Sequence, residues 1–145
     1  MTTVRQVLQH KSPGVWTVSP QATAYEALAL MAQMNIGAVL VMEDDALVGI
    51  FSERDYARKV ILMGRSSRDT SVKELMSHPV VSVNPDIPIE ACMALMTERH
   101  FRHLPVVEEG RLIGIISIGD IGKAIIADQR IAIHDLERYI TGAPL

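Results

Sequence analysis

Two short stretches concentrate the polar chemistry of this chain. Gly49-Ile50-Phe51-Ser52-Glu53-Arg54-Asp55 and Gly114-Ile115-Ile116-Ser117-Ile118-Gly119-Asp120 place a glycine, an isoleucine, a serine and an aspartate at matching positions, 65 residues apart. A serine followed three residues later by an acid at a helix start is a capping box. The sequence carries its own controls in Thr23-Ala-Tyr-Glu26 and Ser71-Val-Lys-Glu74, which also precede helices. Those use Glu, long enough to return to the cap amide. The repeated pair uses Asp, which is shorter and is expected to reach back poorly. Ser52 and Ser117 are therefore expected to cap, and Asp55 and Asp120 ask for a further role. A carboxylate accepts two hydrogen bonds and can hold the cis-diol of a ribose. A helix N-terminus offers free amides and partial positive charge to a phosphate. A glycine near a strand end lets a ligand or another backbone approach closely. Strand end, serine and aspartate thus compose one ribose-phosphate corner, and the chain has two.

The elements that would hold these corners are duplicated with them. Shifted by 65, residues 15–61 lie on 80–126 without a gap. Val15, Val18 and Pro20 fall on Val80, Val83 and Pro85, and Ala29-Leu30-Met31 on Ala94-Leu95-Met96. Each copy reads as β-α-β-β-α. "VWTV" and "VVSV" are short extended segments before Ser19-Pro20 and Asn84-Pro85, since a pre-proline residue avoids helix. "AYEALALMAQM" and "PIEACMALMTERH" carry apolar residues at helical spacing. "GAVLVM" and "RHLPVV" are strands, "EDDA" and "EEGR" turns, "LVGIF" and "LIGII" return strands. "ERDYARKVILM" and "IGDIGKAIIADQ" close each copy as helices. Residues 2–9 form a lead-in helix, 64–79 a polar loop with a short helix, and "IAIHDLERYI" a C-terminal helix. The domain reading is 8–66, 75–131, and 132–145 as C-terminal helix and tail. Two copies are too few for a stacked array, and each is small for burying its own apolar surface. The pattern predicts an α/β (α+β) fold with two halves packed about a pseudo-two-fold axis.

Bulk properties narrow the function classes. The chain has 145 residues, 48% hydrophobic, with a formal charge of -3. One compact domain or two small halves fits that length, and the charge gives no global signal for nucleic acid. The longest apolar run, near "IGAVLVM", is far short of a membrane span. The N-terminal residues lack the apolar stretch of a secretory signal, so a cytoplasmic protein is expected. The single cysteine, Cys92, excludes an internal disulfide and a cysteine-rich metal site. It lies on an apolar helix side and reads as a buried small hydrophobe. His78, His100 and His103 lack metal-ligand spacing, so no metal is expected.

The stretches "VWTVSPQATAYEALALMAQMNIGAVLVMEDDALVGIFSERD" and "VVSVNPDIPIEACMALMTERHFRHLPVVEEGRLIGIISIGD" resemble tandem cystathionine-β-synthase (CBS) domains. That resemblance implies a Bateman module, with clefts for AMP, ADP, ATP, NAD or S-adenosylmethionine, and commonly a flat homodimer. With no catalytic domain in the sequence, it implies a stand-alone sensor acting on a protein partner. It places ribose at Asp55 and Asp120 and phosphate toward Ser52, Arg54, Arg58, Ser117, Gly119, Arg102 and His103. It places adenine against Ile50 or Ile115, with Lys11, Ser12, Pro13, Gly14, Val15, Ile36 and Gly37 facing Asp120, and Pro79, Val80 and Phe101 facing Asp55. The copies differ at Glu53-Arg54 against Ile118-Gly119, and at "NIGAVL" against "FRHLPV", so the two corners are expected to differ in affinity or ligand.

Three functions compete. The first is an adenine-nucleotide sensor, in which the ligand must bind one conformation better than another. The second is an enzyme, against which stands the lack of a nucleophile–base pair, Walker loop or metal set in the sequence. The third is a structural dimerisation module with vestigial pockets. The apolar stripe Ile131, Ile133, Leu136 and Ile140 suits a partner subunit.

Overall fold

A computed structural model describes residues 1–11 and 14–141. The chain forms two compact units, one of Gly14–Val81 and one of Met1–Pro13 together with Ser82–Leu145. Neither unit coincides with one copy of the repeat. The N-terminal segment belongs with the second copy, and the segment after the first copy stays with the first.

In the Gly14–Val81 unit the strand order is β1 (Thr17–Val18), β2 (Ala38–Glu43), β3 (Ala46–Ser52), with β1 parallel and β3 antiparallel to β2. α2 (Ala24–Met34) begins at Thr23, whose hydroxyl accepts from the Glu26 amide at 3.1 Å. It ends where Asn35 turns left-handed (φ 54°) and the Ile36 amide closes on the Met31 carbonyl at 3.0 Å. Asn tolerates that conformation better than most residues, and the reversal aims the chain into β2. Ala24, Ala27 and Met31 form the buried stripe of α2, packed with Val39, Val41, Phe51, Val60, Val72 and Leu75. α3 (Glu53–Tyr56) continues as a π-helical turn, Ala57–Ile61, rather than the uniform helix expected there. The Leu62 amide reaches the Ala57 carbonyl at 3.1 Å, and the widened turn keeps Val60 fully buried.

The other unit contains α1 (Val4–Gln9), α5 (Ile89–Arg99), β4 (His103–Glu108), β5 (Arg111–Ser117) and α6 (Ile118–Thr141). The duplication persists in register: each hairpin is irregular at the matching place, Val41/Met42 and Val106/Val107. His100 is the left-handed cap (φ 58°) where the first copy has Asn35.

Two expectations are corrected. "VVSV" is reduced to one parallel bridge, Val83 to Val106. In the first copy the Leu40 amide donates to the Trp16 carbonyl at 3.2 Å. The equivalent of Leu40 is Pro105, which has no N–H to donate, so the ladder stops after one rung. The expected closing and C-terminal helices are a single 24-residue helix, α6. No Gly or Pro lies between Lys123 and Thr141 to break it.

The duplication also runs further than an ungapped alignment reveals. Val72 and Lys73 donate to the Ala22 and Pro20 carbonyls at 2.8 and 2.9 Å. Val4 and Arg5 donate to Ile87 and Pro85 at 3.0 and 2.8 Å. The acceptors are 65 residues apart but the donors 68, so α1 corresponds to α4 (Val72–Leu75) with three extra residues between Leu8 and Val15. Lys11 lies in that longer stretch.

Candidate functional site

The motif glycines are the first surprise at the two corners. Neither Gly49 nor Gly114 has a positive φ, so space rather than conformation demands glycine. A Cβ on Gly49 would meet Met76 Cγ at 2.8 Å and Cβ at 3.0 Å; one on Gly114 would meet Leu8 Cδ2 at 2.9 Å. Met76 and Leu8 are equivalents at the 68-residue offset. What fills the space above the two glycines is therefore a side chain from the lead-in helix or its end, not a ligand.

From the glycine each strand runs two residues to its serine. Ser52 is extended (φ -115°, ψ 165°) and its hydroxyl accepts from the Asp55 amide at 3.1 Å. The Asp55 carboxylate returns to the Ser52 amide at 3.0 Å and its hydroxyl at 3.0 Å, both on Oδ2. In the second copy Asp120 accepts from the Ser117 amide at 2.8 Å, and Ser117 Oγ accepts from the Asp120 amide at 3.1 Å. The expectation that Asp reaches back poorly is thus overturned: both pairs are closed capping boxes. The extended serine points its own N–H down over the first turn, which brings it within reach of the shorter side chain. The chain entering each strand end is fixed likewise, as Glu53 donates to the Gly37 carbonyl at 3.0 Å and Ile118 to the Arg102 carbonyl at 2.9 Å.

The second oxygen of each carboxylate differs. Asp55 Oδ1 faces Lys59 Nζ at 3.3 Å, one helical turn on, and Lys59 also donates to the Leu75 carbonyl at 2.9 Å. Both Asp55 oxygens are taken. At Asp120 the cation is Lys11, 2.8 Å from the same Oδ2 that caps the helix, and Lys11 donates to the Ile115 carbonyl at 2.8 Å. Among the described residues, Asp120 Oδ1 has no hydrogen bond within the unit. Burial is the largest single influence on the Asp120 carboxyl and pushes it up. The Lys11 ammonium and the Ser117 amide and hydroxyl together outweigh it and hold the group below the usual carboxylate range. His103, register partner of Ser117, is pushed down by burial and by Lys11, opposed by Asp120, with Arg102 adding to the fall. It is neutral near pH 7.

Of the other expected residues, Arg54, Arg58, Arg102 and Gly119 are exposed beside their corners. Ile50 exchanges both backbone hydrogen bonds with Ser77, at 3.2 and 2.9 Å, and Pro79 and Val80 follow Ser77 in the chain as exposed and half-exposed residues without regular structure. Gly14 (φ 130°) and Val15 lead into β1, and Ile36 packs at the edge of the first core. Phe101 is the half-buried residue after the α5 cap, its amide on the Met96 carbonyl at 3.0 Å. Ser12 and Pro13 lie outside the described residues. Lys11, expected beside adenine, has its ammonium on the carboxylate instead. Lys59 was not anticipated, although an acid followed four residues later by a lysine on a helix is a readable pairing signal. Among the described residues no group of His, Cys, Asp or Glu could hold a metal. Cys92 is buried, and burial pushes its thiol up to about 11.

The CBS domain model matches the chain twice, at residues 4–61 and 72–127. The chain belongs to the CBS-domain family. The two matches begin 68 residues apart, the offset that the α1 and α4 hydrogen bonds define. The chain is 37% identical over 150 residues to the mitochondrial CBS domain-containing protein CBSX3 of Arabidopsis thaliana, covering 97% of this chain and 73% of that protein. A solved protein with CBS domains from Burkholderia ambifaria superposes with TM-score 0.85 at 50% identity, covering 88% and 96% of the two chains. The CBS domain pair of protein MJ0100, solved with 5'-methylthioadenosine and S-adenosyl-L-methionine, superposes with TM-score 0.78 at 22% identity, covering 88% and 98%; that identity carries the fold alone. These likenesses make this a CBS pair of mixed helix and strand, of the regulatory kind. No helix among the described residues is long and apolar enough to cross a membrane.

Proposed function

We propose that this CBS pair is a regulatory module that binds an adenine nucleotide and changes what a protein partner meets. The observation that carries the reading is the Asp120 corner. A carboxylate held ionised at a helix start keeps one oxygen open beside a neutral imidazole and an ammonium. A ribose hydroxyl can donate to Oδ1 without breaking the cap, and a phosphate finds cations in Lys11 and Arg102. Ser117, Gly119 and His103 would line the phosphate side, and Ile115 the base. Asp55, Ser52, Arg54, Arg58 and Ile50 would form the weaker corner, since Lys59 must first leave Oδ1. The adenosine-containing ligand class that a CBS pair implies gives the candidates AMP, ADP, ATP, NAD and S-adenosylmethionine. No step here calls for catalysis. The reading includes a homodimer formed through α6 and a cytoplasmic protein.

The second reading is a structural dimerisation module. It is favoured by one observation: helix capping already accounts for both serine–aspartate pairs. Thermal shift and calorimetry with the candidate ligands, on wild type, Asp55→Asn and Asp120→Asn, separate the two. A ligand bound only by the folded state stabilises by about 2.7 kcal/mol at a hundredfold excess over Kd. The sensor reading expects a shift that Asp120→Asn removes at lower ligand concentration than Asp55→Asn. No shift with any ligand leaves the dimerisation module.

A further inference from the structure

Each corner carries one lysine that joins its carboxylate to a backbone carbonyl, and the two lysines leave different room for a guest. An ionised carboxylate offers about four acceptor sites, two on each oxygen. At Asp55 three are used: the Ser52 amide and hydroxyl are on Oδ2, and Lys59 is on Oδ1. At Asp120 the Ser117 amide and Lys11 share Oδ2, and among the described residues Oδ1 accepts nothing. A vicinal pair of hydroxyls brings two donors. It fits Asp120 as that corner stands. At Asp55 it fits only if Lys59 leaves, because the two Ser52 donors belong to the cap.

The second contact of Lys59 gives its departure a consequence. Its ammonium donates to the Leu75 carbonyl at 2.9 Å, at the end of α4. That carbonyl has no helical donor ahead of it, since the residue four places on is Pro79, which lacks an N–H. A lysine on the last carbonyls of a helix stabilises its end. Directly after Leu75 come Met76, packed over Gly49, and Ser77, bridged to Ile50. Lys59 itself lies in the π-helical turn Ala57–Ile61, an irregularity frequent at functional sites. In the second copy the equivalent position is Ala124, inside the α-helix α6. There the lysine comes from the lead-in, and its carbonyl is that of Ile115 on β5.

We propose that Lys59 is an autoinhibitory latch: it closes the Asp55 corner to a vicinal diol, and a diol that does enter releases the end of α4. The inference rests on the nucleotide reading above and adds to it a division of roles. Asp120 takes a ribose without change, and Asp55 takes one only by letting go of α4. Once the carboxylate is occupied, the half-exposed Lys59 ammonium loses its charge-assisted contact and keeps one neutral carbonyl in competition with water. The lead-in that holds β3 through Met76 and Ser77 then loses its cap.

The test uses the full chain as wild type, Asp120→Asn, which silences the second corner, and Asp120→Asn combined with Lys59→Met or Lys59→Gln. Circular dichroism checks folding, calorimetry reads adenosine and 2′-deoxyadenosine, and NMR reads amide exchange at Met76 and Ser77. In the Asp120→Asn background, Lys59→Met should tighten adenosine roughly tenfold. It should leave 2′-deoxyadenosine, whose single ring hydroxyl uses the one free site, within about twofold. Lys59→Gln, which keeps a neutral donor for Leu75, should move adenosine in the same direction. With Lys59 in place, saturating adenosine should speed exchange at Met76 and Ser77; in Lys59→Met that exchange should be fast already and indifferent to ligand. Adenosine weakened by both substitutions makes Lys59 a ligand contact, which overturns the latch and keeps the nucleotide reading. Equal tightening of the two nucleosides, or exchange that bound adenosine leaves unchanged, also overturns the latch alone. So does a wild type that binds adenosine while no Asp120→Asn chain does. No adenosine bound by any chain, wild type included, overturns the latch and the nucleotide reading together.

Discussion

The two aspartates do two jobs with four oxygens, and the division is unequal. Capping consumes one oxygen at each corner, so whatever else happens depends on the other. At Asp55 it is held by Lys59; at Asp120 it is open because Lys11 shares the capping oxygen. The capping half of this was legible in Ser-x-x-Asp, and the asymmetry was not, because Lys11 reaches Asp120 across more than a hundred residues of sequence. The ionised state of Asp120 makes a pH statement. Its folded-state pKa is depressed, so its contribution to stability is complete above the usual carboxylate pKa of about 4 and is lost as pH falls through the lower folded value. Asp120→Asn should flatten the acid limb of a melting-temperature profile below about pH 4, and an unchanged limb would show that Lys11 contributes nothing there. His103 acts in a higher window. Its folded pKa is also depressed, so the unfolded state takes the proton first and stability falls as pH drops below about 6.5. Lys11 and Arg102 strengthen that penalty and Asp120 eases it. In His103→Gln the loss of melting temperature between pH 7 and 5.5 should shrink; an equal loss would assign it to other groups.

At the scale of elements, each return strand is built to receive a lead-in helix. The sequence made both glycines visible but not their guests, because Met76 and Leu8 sit at an offset of 68 while the rest of the copy repeats at 65. The two sites differ in what blocks a methyl group. At Gly114 the blocking atoms are the terminal methyls of Leu8, which can rotate aside. At Gly49 they reach back to Met76 Cβ, fixed to the backbone beside the Ser77–Ile50 bridge. Overpacking of this kind costs typically about 1–3 kcal/mol. Gly49→Ala should therefore fall in that range in urea unfolding, and Gly114→Ala should cost clearly less. Equal costs would mean that the lead-in yields as readily at both. Pro105 shows the opposite kind of legibility: the residue was plain in "RHLPVV", and only the pairing revealed which rung it removed.

For the whole molecule, the duplication and the family resemblance carried the fold, since turn residues, apolar spacing and strand irregularities all repeat together. The assignment of segments to units was hidden, because no local pattern tells α1 to pack with the copy that begins some eighty residues later. Arg5, bound to Asp86 at 3.0 Å and to Glu108, is the kind of long-range tether that only coordinates disclose. α6 makes the last expectation. Beyond Ile121 it carries Ile126, Ile133, Leu136 and Ile140 at spacings of seven, three and four, all exposed. That is the seam of a helix that packs on another helix. Burying such a side chain contributes about 1.5–3 kcal/mol, so four from each of two copies supply a strong drive to pair. Light scattering should give twice the 16.0 kDa chain mass at micromolar concentration. Ile133→Glu with Leu136→Glu should return the single-chain mass while nucleotide affinity at Asp120 is kept, because neither residue touches that corner. A wild-type chain that scatters as a monomer would remove α6 as a pairing surface and leave its apolar seam for the regulated partner.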